Sequence, residues 1–413
     1  MTPEETAAAA AMAALHAAFA AEKSGDGDGA LSHAIAAMTS FDAAGDPMGG
    51  SAARQFAAVI TPDPFEADQW LEQAMALRKA SGDIEGLISA AADRFDRALE
   101  AGDVKGALAH ANGWVEAIAD RHQRASVAQR IAARFLDEGL SDAASYWVSD
   151  ALFALDPLSD AAPRAALTLA AARIAYVGGD AAGAKAGIAE ATRLARLGGA
   201  RAVEIDASHL DAQLRIAEGD LKGARRLLLG VLDGRVVLGD EAGKASARHD
   251  LARVALALGD ADGAIDELRI AAAASERAGD AASAIGAWFQ LAGLLEQRES
   301  WAEAVAAGDR LVGALGASPA ADRADAVHDQ GLRRLRLGDL EGAAKDLAMA
   351  VALRAPDDTQ DESRGAALAM LGQVLRRLGR LAPAQAAFDD AVRALAPIAP
   401  DAAAAVRALR DEA

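Results

Sequence analysis

Apolar residues along this chain come in long stretches, chiefly of alanine and leucine, that short polar turns rich in glycine and aspartate interrupt. No segment shows the alternating pattern with β-branched residues that a strand requires. None holds 18 or more consecutive, strongly apolar residues, so no membrane span is expected. Because alanine favours helix and brings little bulk, the pattern predicts an all-α protein with closely packed helices.

The turns recur with a regular period. Seven of them lie at intervals of 40, 40, 40, 40, 39 and 41 residues, at Gly139, Gly179, Gly219, Gly259, Glu299, Gly338 and Gly379. An alanine follows five residues after each, at Ala144, Ala184, Ala224, Ala264, Ala304, Ala343 and Ala384. Seven matches in one register indicate an internal repeat in which these residues have structural roles in turns and packing.

The chemistry of this turn predicts its structure. Glycine ends a helix in the left-handed conformation, and the small alanine one turn into the next helix allows a close helix crossing. In one copy Ser300 replaces the usual aspartate, and Glu303 is expected to complete a capping box. In four copies aspartate is expected to cap the next helix, at Asp180, Asp220, Asp260 and Asp339.

A second turn lies about halfway between the first ones. It is found at Gly198-Gly199, Gly239-Asp240, Gly279-Asp280, Ser318-Pro319 and Pro356-Asp357-Asp358. Each unit of about 40 residues therefore contains helix A, a turn, helix B and a second turn. Each helix is expected to have roughly 17 residues and a length of about 25 Å.

The repeat resembles the tetratricopeptide (TPR) family. The last copy carries its skeleton best, with Leu371-Gly372, Leu375, Gly379, Ala384, Phe388 and Ala391. The resemblance covers about residues 122–396 and implies a right-handed superhelical solenoid of antiparallel two-helix repeats whose A helices line a concave groove. The period of 40 rather than 34 is that of the long-helix, kinesin light chain-like variant, and the family's early tryptophan is absent. HEAT and armadillo repeats have similar periods but lack this turn.

The sequence divides into four predicted parts. Residues 1–60 form a divergent helical segment, 61–160 divergent helical repeats, 161–398 the regular TPR-like array, and 399–413 a capping helix at the end of the solenoid. Two loops are expected in the irregular part, at Asp46-Pro47-Met48-Gly49-Gly50 and at Thr61-Pro62-Asp63-Pro64.

Charge narrows the class of partner. The chain has 42 Lys and Arg against 61 Asp and Glu, a net charge of −19 and a pI near 4.8. This field repels phosphate backbones and anionic membrane surfaces, so we expect neither nucleic acid nor a membrane as partner, and a basic protein fits better. The absence of cysteine and the acidic first residues, which do not resemble a secretory signal, suit a cytoplasmic protein.

Motifs for catalysis or cofactor binding are missing. Gly239-x3-Gly243-Lys244-Ala245 is one residue short of a phosphate-binding loop and has alanine where Ser or Thr must contact Mg²⁺. Asp206 with His209, and Asp325 with His328, share helix faces, but the sequence supplies no third metal ligand. We therefore expect no enzyme activity, no metal site and no cofactor.

Candidate contact residues lie ten positions before the turn residue, in helix A. His209, His249, Phe289 and His328 hold this position, and the spacing predicts that they form one stripe. Neighbouring positions add Gln213, Asp250, Arg253, Gln290 and Asp329. The acidic neighbours are expected to favour charged histidines. Three interpretations of the stripe are open: its residues pack between neighbouring A helices, they match by chance, or they form the surface of a partner-binding groove.

These observations favour a protein-interaction scaffold or adaptor that binds a protein or peptide in the groove. The alternative is a regulatory module that senses a ligand or peptide and controls a separate effector. TPR co-chaperones that hold C-terminal carboxylates use Lys and Asn at these helix A positions. The stripe lacks Lys, and Asn112 is the chain's one asparagine, so this kind of clamp is disfavoured. The sequence identifies neither the partner nor the oligomeric state.

Overall fold

The computed structural model describes residues 3–116, 118–157, 159–316, 318–354 and 362–411, and all regular secondary structure in these ranges is α-helical. The helices are α1 (Pro3–Lys23), α2 (Gly27–Ala44), α3 (Pro47–Ile60), α4 (Pro64–Ser81), α5 (Ile84–Glu100), α6 (Val104–Glu116), α7 (Arg121–Asp137), α8 (Ser141–Ala154), α9 (Ala161–Val177), α10 (Ala181–Gly198), α11 (Arg201–Ala217), α12 (Leu221–Leu238), α13 (Glu241–Ala257), α14 (Ala261–Ala278), α15 (Ala281–Gln297), α16 (Trp301–Ala314), α17 (Ala320–Leu337), α18 (Leu340–Leu353), α19 (Glu362–Arg377), α20 (Leu381–Leu395) and α21 (Pro400–Asp411).

The helices form two compact units, Met1–Ala207 and Ser208–Ala413. In the first unit each helix from α1 to α9 packs on the next one, and in the second the same holds from α12 to α20. Among helices that are two apart in the chain, the pairs in closest contact are all odd-numbered, namely α1 with α3, α3 with α5, α7 with α9, and α13 with α15. The odd-numbered helices are therefore the A helices of the predicted repeat. The all-α repeat solenoid is confirmed, and the division at residues 60, 160 and 398 stays a prediction.

The turn chemistry follows the sequence pattern closely. The turn glycines have positive φ, including Gly219 at 82° and Gly259 at 80°. The N–H of Asp220 donates to the carbonyl of Arg215 at 2.9 Å, which is the hydrogen bond of a Schellman motif. The four predicted aspartate caps are confirmed, because each carboxylate accepts from the N–H of the glycine three residues later, at Gly183, Gly223, Gly263 and Gly342.

Glu299 is the one non-glycine residue with positive φ in the described ranges, at 56°. A Cβ in this conformation lies too close to the following carbonyl, which costs roughly 1–2 kcal/mol. We expect Glu299→Gly to raise the free energy of unfolding by about 1 kcal/mol, measured by urea titration. Gly259→Ala, at the equivalent turn one repeat earlier, serves as the reverse control and should lower it. A loss of stability in Glu299→Gly would contradict this account of the turn.

The turn alanines form the packing points between helices. Ala144, Ala184, Ala224, Ala264, Ala304 and Ala343 are 0% exposed, and Ala384 is 3% exposed. Ala264 lies in a core of small and leucine side chains with Leu268 and Leu291. Since a larger side chain at these places would push two helices apart, the alanine register predicts the core correctly.

The capping box expected at the start of α16 does not form. The Ser300 side chain makes no capping hydrogen bond. The Glu303 carboxylate instead accepts from Arg269 Nη2 at 2.8 Å, on the preceding B helix. A charge-assisted bond between repeats replaces the local bond, because the guanidinium is the stronger donor.

The prediction of a loop at Asp46–Gly50 is wrong. Asp46 caps α3, Pro47 takes the first helical position, and Gly49 and Gly50 lie inside the helix. Proline is well tolerated there because its missing N–H has no partner in the first turn. Gly49 packs against Phe41, since a Cβ at Gly49 would lie 2.3 Å from the ring. The turn at 61–63 is confirmed, and the turn at Pro356-Asp357-Asp358 lies outside the described residues.

No helix within the described ranges is both long enough and apolar enough to cross a membrane.

Candidate functional site

The predicted contact residues lie on four A helices, at positions that all belong to the second unit. We call the side of α11, α13, α15 and α17 that carries them the A-helix face. Residues His209 and Gln213 lie on α11, His249, Asp250 and Arg253 on α13, Phe289 and Gln290 on α15, and His328 and Asp329 on α17.

Asp250 is the centre of a buried hydrogen-bond network on this face. It is 4% exposed and His209 is 8% exposed. The ring Nε2 of His209 and the side-chain amide of Gln213 each lie 2.9 Å from Asp250 Oδ2. Arg253 Nη1 donates to Oδ1 at 2.9 Å. The network therefore ties α11 to α13, and His209 acts through Asp250 rather than as an exposed contact.

The hydrogen bonds decide the protonation state of Asp250. Burial raises the pKa of this carboxyl, but the hydrogen bonds from His209 and Gln213, together with Arg253, outweigh burial and hold the pKa below its ordinary value of 3.8. The carboxylate is therefore charged at neutral pH. Because its pKa is lowered on folding, its contribution to stability is full above pH 3.8 and is lost as the pH falls through the lowered value.

His249 behaves differently from the expectation of a charged histidine. Its half-burial lowers the pKa, the Asp250 carboxylate raises it, and Arg253 lowers it again, so the pKa lies below its ordinary value of 6.5. The expected preference for the charged form is therefore wrong at His249, because desolvation outweighs the neighbouring acid. The imidazole is neutral at neutral pH and lies 3.5 Å, Nε2 to Nε2, from the amide of Gln290 on α15.

We expect the imidazole signal of His249 to titrate with a midpoint below pH 6.5 in a sample labelled with ¹³C at histidine. Since the unfolded chain binds this proton more readily, the contribution of His249 to stability is full above pH 6.5 and falls as the pH is lowered. His249→Gln assigns the signal by its disappearance. A midpoint at or above pH 6.5 would show that Asp250 dominates burial.

A polar cavity of about 300 Å³ lies beside this network, between α13, α14 and α15. Gln213 of α11 also lines the cavity. The polar residues that line the cavity are Gln213, Ser246, His249, Asp250, Ser275 and Ser283, and the remaining lining residues are alanines and Gly286. A Cβ built on Gly286 would meet no atom within 4 Å, so this glycine leaves open space in the cavity.

The other stripe residues have separate surroundings. Phe289 is 60% exposed on α15. His328 is about one-fifth exposed, and its Nδ1 lies 3.7 Å from Oδ1 of the neighbouring Asp329. The structure thus brings His209, Gln213, Asp250 and Arg253 into one network and links His249 to Gln290. Among the polar contacts described, His328 and Asp329 contact only each other.

Sequence reasoning did not find the cavity. Ser246, Ser275, Ser283 and Gly286 were not among the predicted contact residues. One signal was present, because Gly286 and Gly293 lie seven residues apart inside a 17-residue helix, where glycine is unfavourable. Two interior glycines on one helix face indicate a need for free space.

The described residues contain no group of three or more His, Cys, Asp or Glu that could hold a metal ion. The near match to a phosphate-binding loop is a turn followed by the first residues of α13, and the Gly243 N–H donates to the capping Asp240 at 2.8 Å.

Neither protein-family profiles nor curated proteins match this sequence. Several solved structures match this chain. The STAND protein with a tetratricopeptide repeat sensor from Pyrococcus horikoshii matches 90% of this chain, with 12% identity and a TM-score of 0.52. The chain has a TPR-like repeat fold. It spans about half of that protein, since the match covers 53% of its length.

Two further structures match this chain with lower scores. A Rap protein complexed with Competence and Sporulation Factor matches 86% of this chain and 99% of its own, with 15% identity and a TM-score of 0.47. The nearly identical TPR-like repeats of a Podosopora anserina putative kinesin light chain match 47% of this chain and 96% of their own, with 19% identity and a TM-score of 0.34.

Proposed function

We propose that this TPR-like chain is a protein-interaction module that binds a protein or peptide partner on the A-helix face of its second unit. The observation that carries the proposal is the exposure of Phe289, which is 60% exposed on the helix that also lines the polar cavity. Gly286 of the cavity and Phe289 lie three residues apart, so they share one side of α15.

An exposed aromatic side chain near a polar cavity has the chemistry of a binding hot spot. Aromatic side chains supply large contact area at low conformational cost, and hot spots cluster where such anchors meet pockets. The Asp250 network fixes the neighbouring helix through bonds of 2.9 Å, so the surface is organised before a partner arrives. The other positions of the stripe are held by histidines that are buried or partly buried.

The proposed role is binding without catalysis or a cofactor. Asp250 is the most buried carboxylate of the face, but His209, Gln213 and Arg253 already occupy it, and its pKa is lowered. A carboxylate held in this way is a weak proton acceptor, which does not suit a general base. The net charge of −19 favours a protein partner with basic regions over nucleic acid or a membrane. We also propose that the protein is cytoplasmic and acts as a scaffold or adaptor.

The second candidate is a sensing module that controls a separate effector. It is supported by the Pyrococcus horikoshii protein, a signal transduction ATPase whose tetratricopeptide repeats are a sensor. The two roles differ in the consequence of binding, and both need the same face.

Replacing Phe289 with alanine should weaken partner capture by about tenfold or more, because truncation of an aromatic hot spot costs about 2 kcal/mol or more. The measurement is a pull-down from a lysate of the source organism, with quantitative mass spectrometry. Phe153→Ala is the matched control, since Phe153 is 93% exposed but lies on α8, a B helix. Equal capture by Phe289→Ala, Phe153→Ala and the parent chain would place the binding site elsewhere.

A further inference from the structure

The cavity beside Asp250 has a chemistry that selects one kind of guest. The hydrogen bonds described occupy Oδ2 twice, from His209 and Gln213, and Oδ1 once, from Arg253. Since a carboxylate offers about four lone-pair positions, the described contacts leave one position on Oδ1 for a further donor. A guest that donates a hydrogen bond at this point would complete the set of donors around Asp250.

The charges around the cavity disfavour a charged guest. A carboxylate in the guest would meet the buried, charged Asp250. An ammonium or guanidinium group would find Asp250 already paired with Arg253, whose Nη1 lies 2.9 Å from Oδ1. Burying an unpaired charge is costly, whereas an uncharged polar group loses little if it finds hydrogen-bond partners.

The remaining lining both donates and accepts. Ser246 and Ser275 contribute hydroxyl groups, which can turn to suit a donor or an acceptor, and Ser283, whose hydroxyl donates to Asp280, offers its oxygen as an acceptor. His249 contributes an imidazole with one donor and one acceptor nitrogen in its neutral form. A primary amide, which donates through its nitrogen and accepts through its oxygen, matches this set better than a hydroxyl or an apolar group.

The size of the cavity agrees with a single side chain. Its volume of about 300 Å³ corresponds to about ten water molecules at roughly 30 Å³ each. This is enough for a glutamine or asparagine side chain and the adjacent backbone, and it is at the lower limit for a larger ligand.

We propose that this cavity binds the side-chain amide of a glutamine or asparagine in the partner peptide. The proposal rests on the proposed function for the origin of the amide, but the cavity's preference can be tested without the partner. Phe289 then supplies the apolar contact of the same peptide, next to the amide pocket.

Gly286 provides a clean way to fill the cavity. Its missing Cβ would meet no atom within 4 Å, so Gly286→Met extends into open space. Methionine also favours helix over glycine, so the variant is expected to fold at least as well as the parent chain. Gly293→Met is the matched control, because Gly293 lies seven residues further along the same helix, has equally open surroundings and does not line the cavity.

The experiment is a titration of the full-length chain, labelled with ¹³C at histidine, with three probes: the N-acetyl N′-methylamides of glutamine, glutamate and lysine. We expect the glutamine probe to shift the His249 signal in the parent chain and in Gly293→Met. In Gly286→Met that shift should be lost while circular dichroism stays helical. The glutamate and lysine probes should need at least tenfold higher concentration for the same shift.

Three outcomes would overturn the proposal: no shift of His249 with the glutamine probe, an equal shift with a charged probe, or an unchanged shift in Gly286→Met. A failure of the proposed function has a different signature. In that case Phe289→Ala captures partners as the parent does, while the glutamine probe still binds the cavity.

Discussion

Replacing Asp250 with alanine is expected to lower the free energy of unfolding by about 2–4 kcal/mol at neutral pH, since it leaves more than one buried donor without an acceptor at about 1–3 kcal/mol each. The variant leaves the buried His209 ring and the Gln213 amide without their acceptor and removes the partner of Arg253. Unmet donors away from water cost more than the hydrogen bond gained on folding. The measurement is urea unfolding followed by circular dichroism.

Asp329 provides the control for this substitution. Like Asp250 it lies nine residues before a turn glycine, but its side chain is 50% exposed and the nearest side chain described as its polar partner is His328 at 3.7 Å. Asp329→Ala should change stability by less than about 1 kcal/mol, as is usual for exposed ion pairs. Equal effects at the two positions would mean that the network does not join α11 to α13.

Replacing Ala264 with leucine is expected to lower the free energy of unfolding by about 1–3 kcal/mol. Ala264 is 0% exposed at the crossing of α14 with its neighbours, and three extra carbon atoms must displace side chains such as Leu291. Since protein cores are close-packed, this displacement forces strained rotamers or a shift of the helices. Thermal and urea unfolding would both report it.

Ala404→Leu, on the exposed side of α21, makes the same chemical change without a core to disturb. It should alter stability by no more than about 0.5 kcal/mol. A negligible effect at both positions would show that the alanine register does not mark the packing points.

Local chemistry explains why the repeat could be predicted from the sequence. A turn such as Gly259-Asp260 needs a left-handed residue and a short cap, and both requirements are met by residues within a few positions. The buried Ala264 follows from the same turn, because a fixed spacing places it at the helix crossing. Glu299 was assigned to the same turn position by its register alone, and its φ of 56° agrees with the left-handed conformation expected there.

The candidate site could be predicted only in part, because it depends on contacts between repeats. The sequence placed His209 and Asp250 near the stripe, but it did not show that they bond across 41 positions or that both are buried. Burial also reversed the expected protonation of His249. Such balances between desolvation and charge depend on atomic surroundings that no spacing encodes.

Two local errors have the same origin. Ser300 and Glu303 match a capping box, but Arg269 of another helix offers Glu303 a stronger bond. Gly49 and Gly50 match a loop, but both lie inside α3, where the Phe41 ring leaves no room for a side chain at Gly49. In both cases a contact from a neighbouring helix overrides the local preference.

We propose that the A-helix face of the second unit holds a protein or peptide partner. The most direct measurement places the photocrosslinking amino acid p-benzoylphenylalanine at position 289 or, in a separate chain, at position 153, and irradiates each in a lysate of the source organism. We expect position 289 to form a covalent adduct with a protein that position 153 does not capture, and Gly286→Met to reduce the amount of this adduct. The absence of an adduct at position 289, or the same adducts at both positions, would contradict the account.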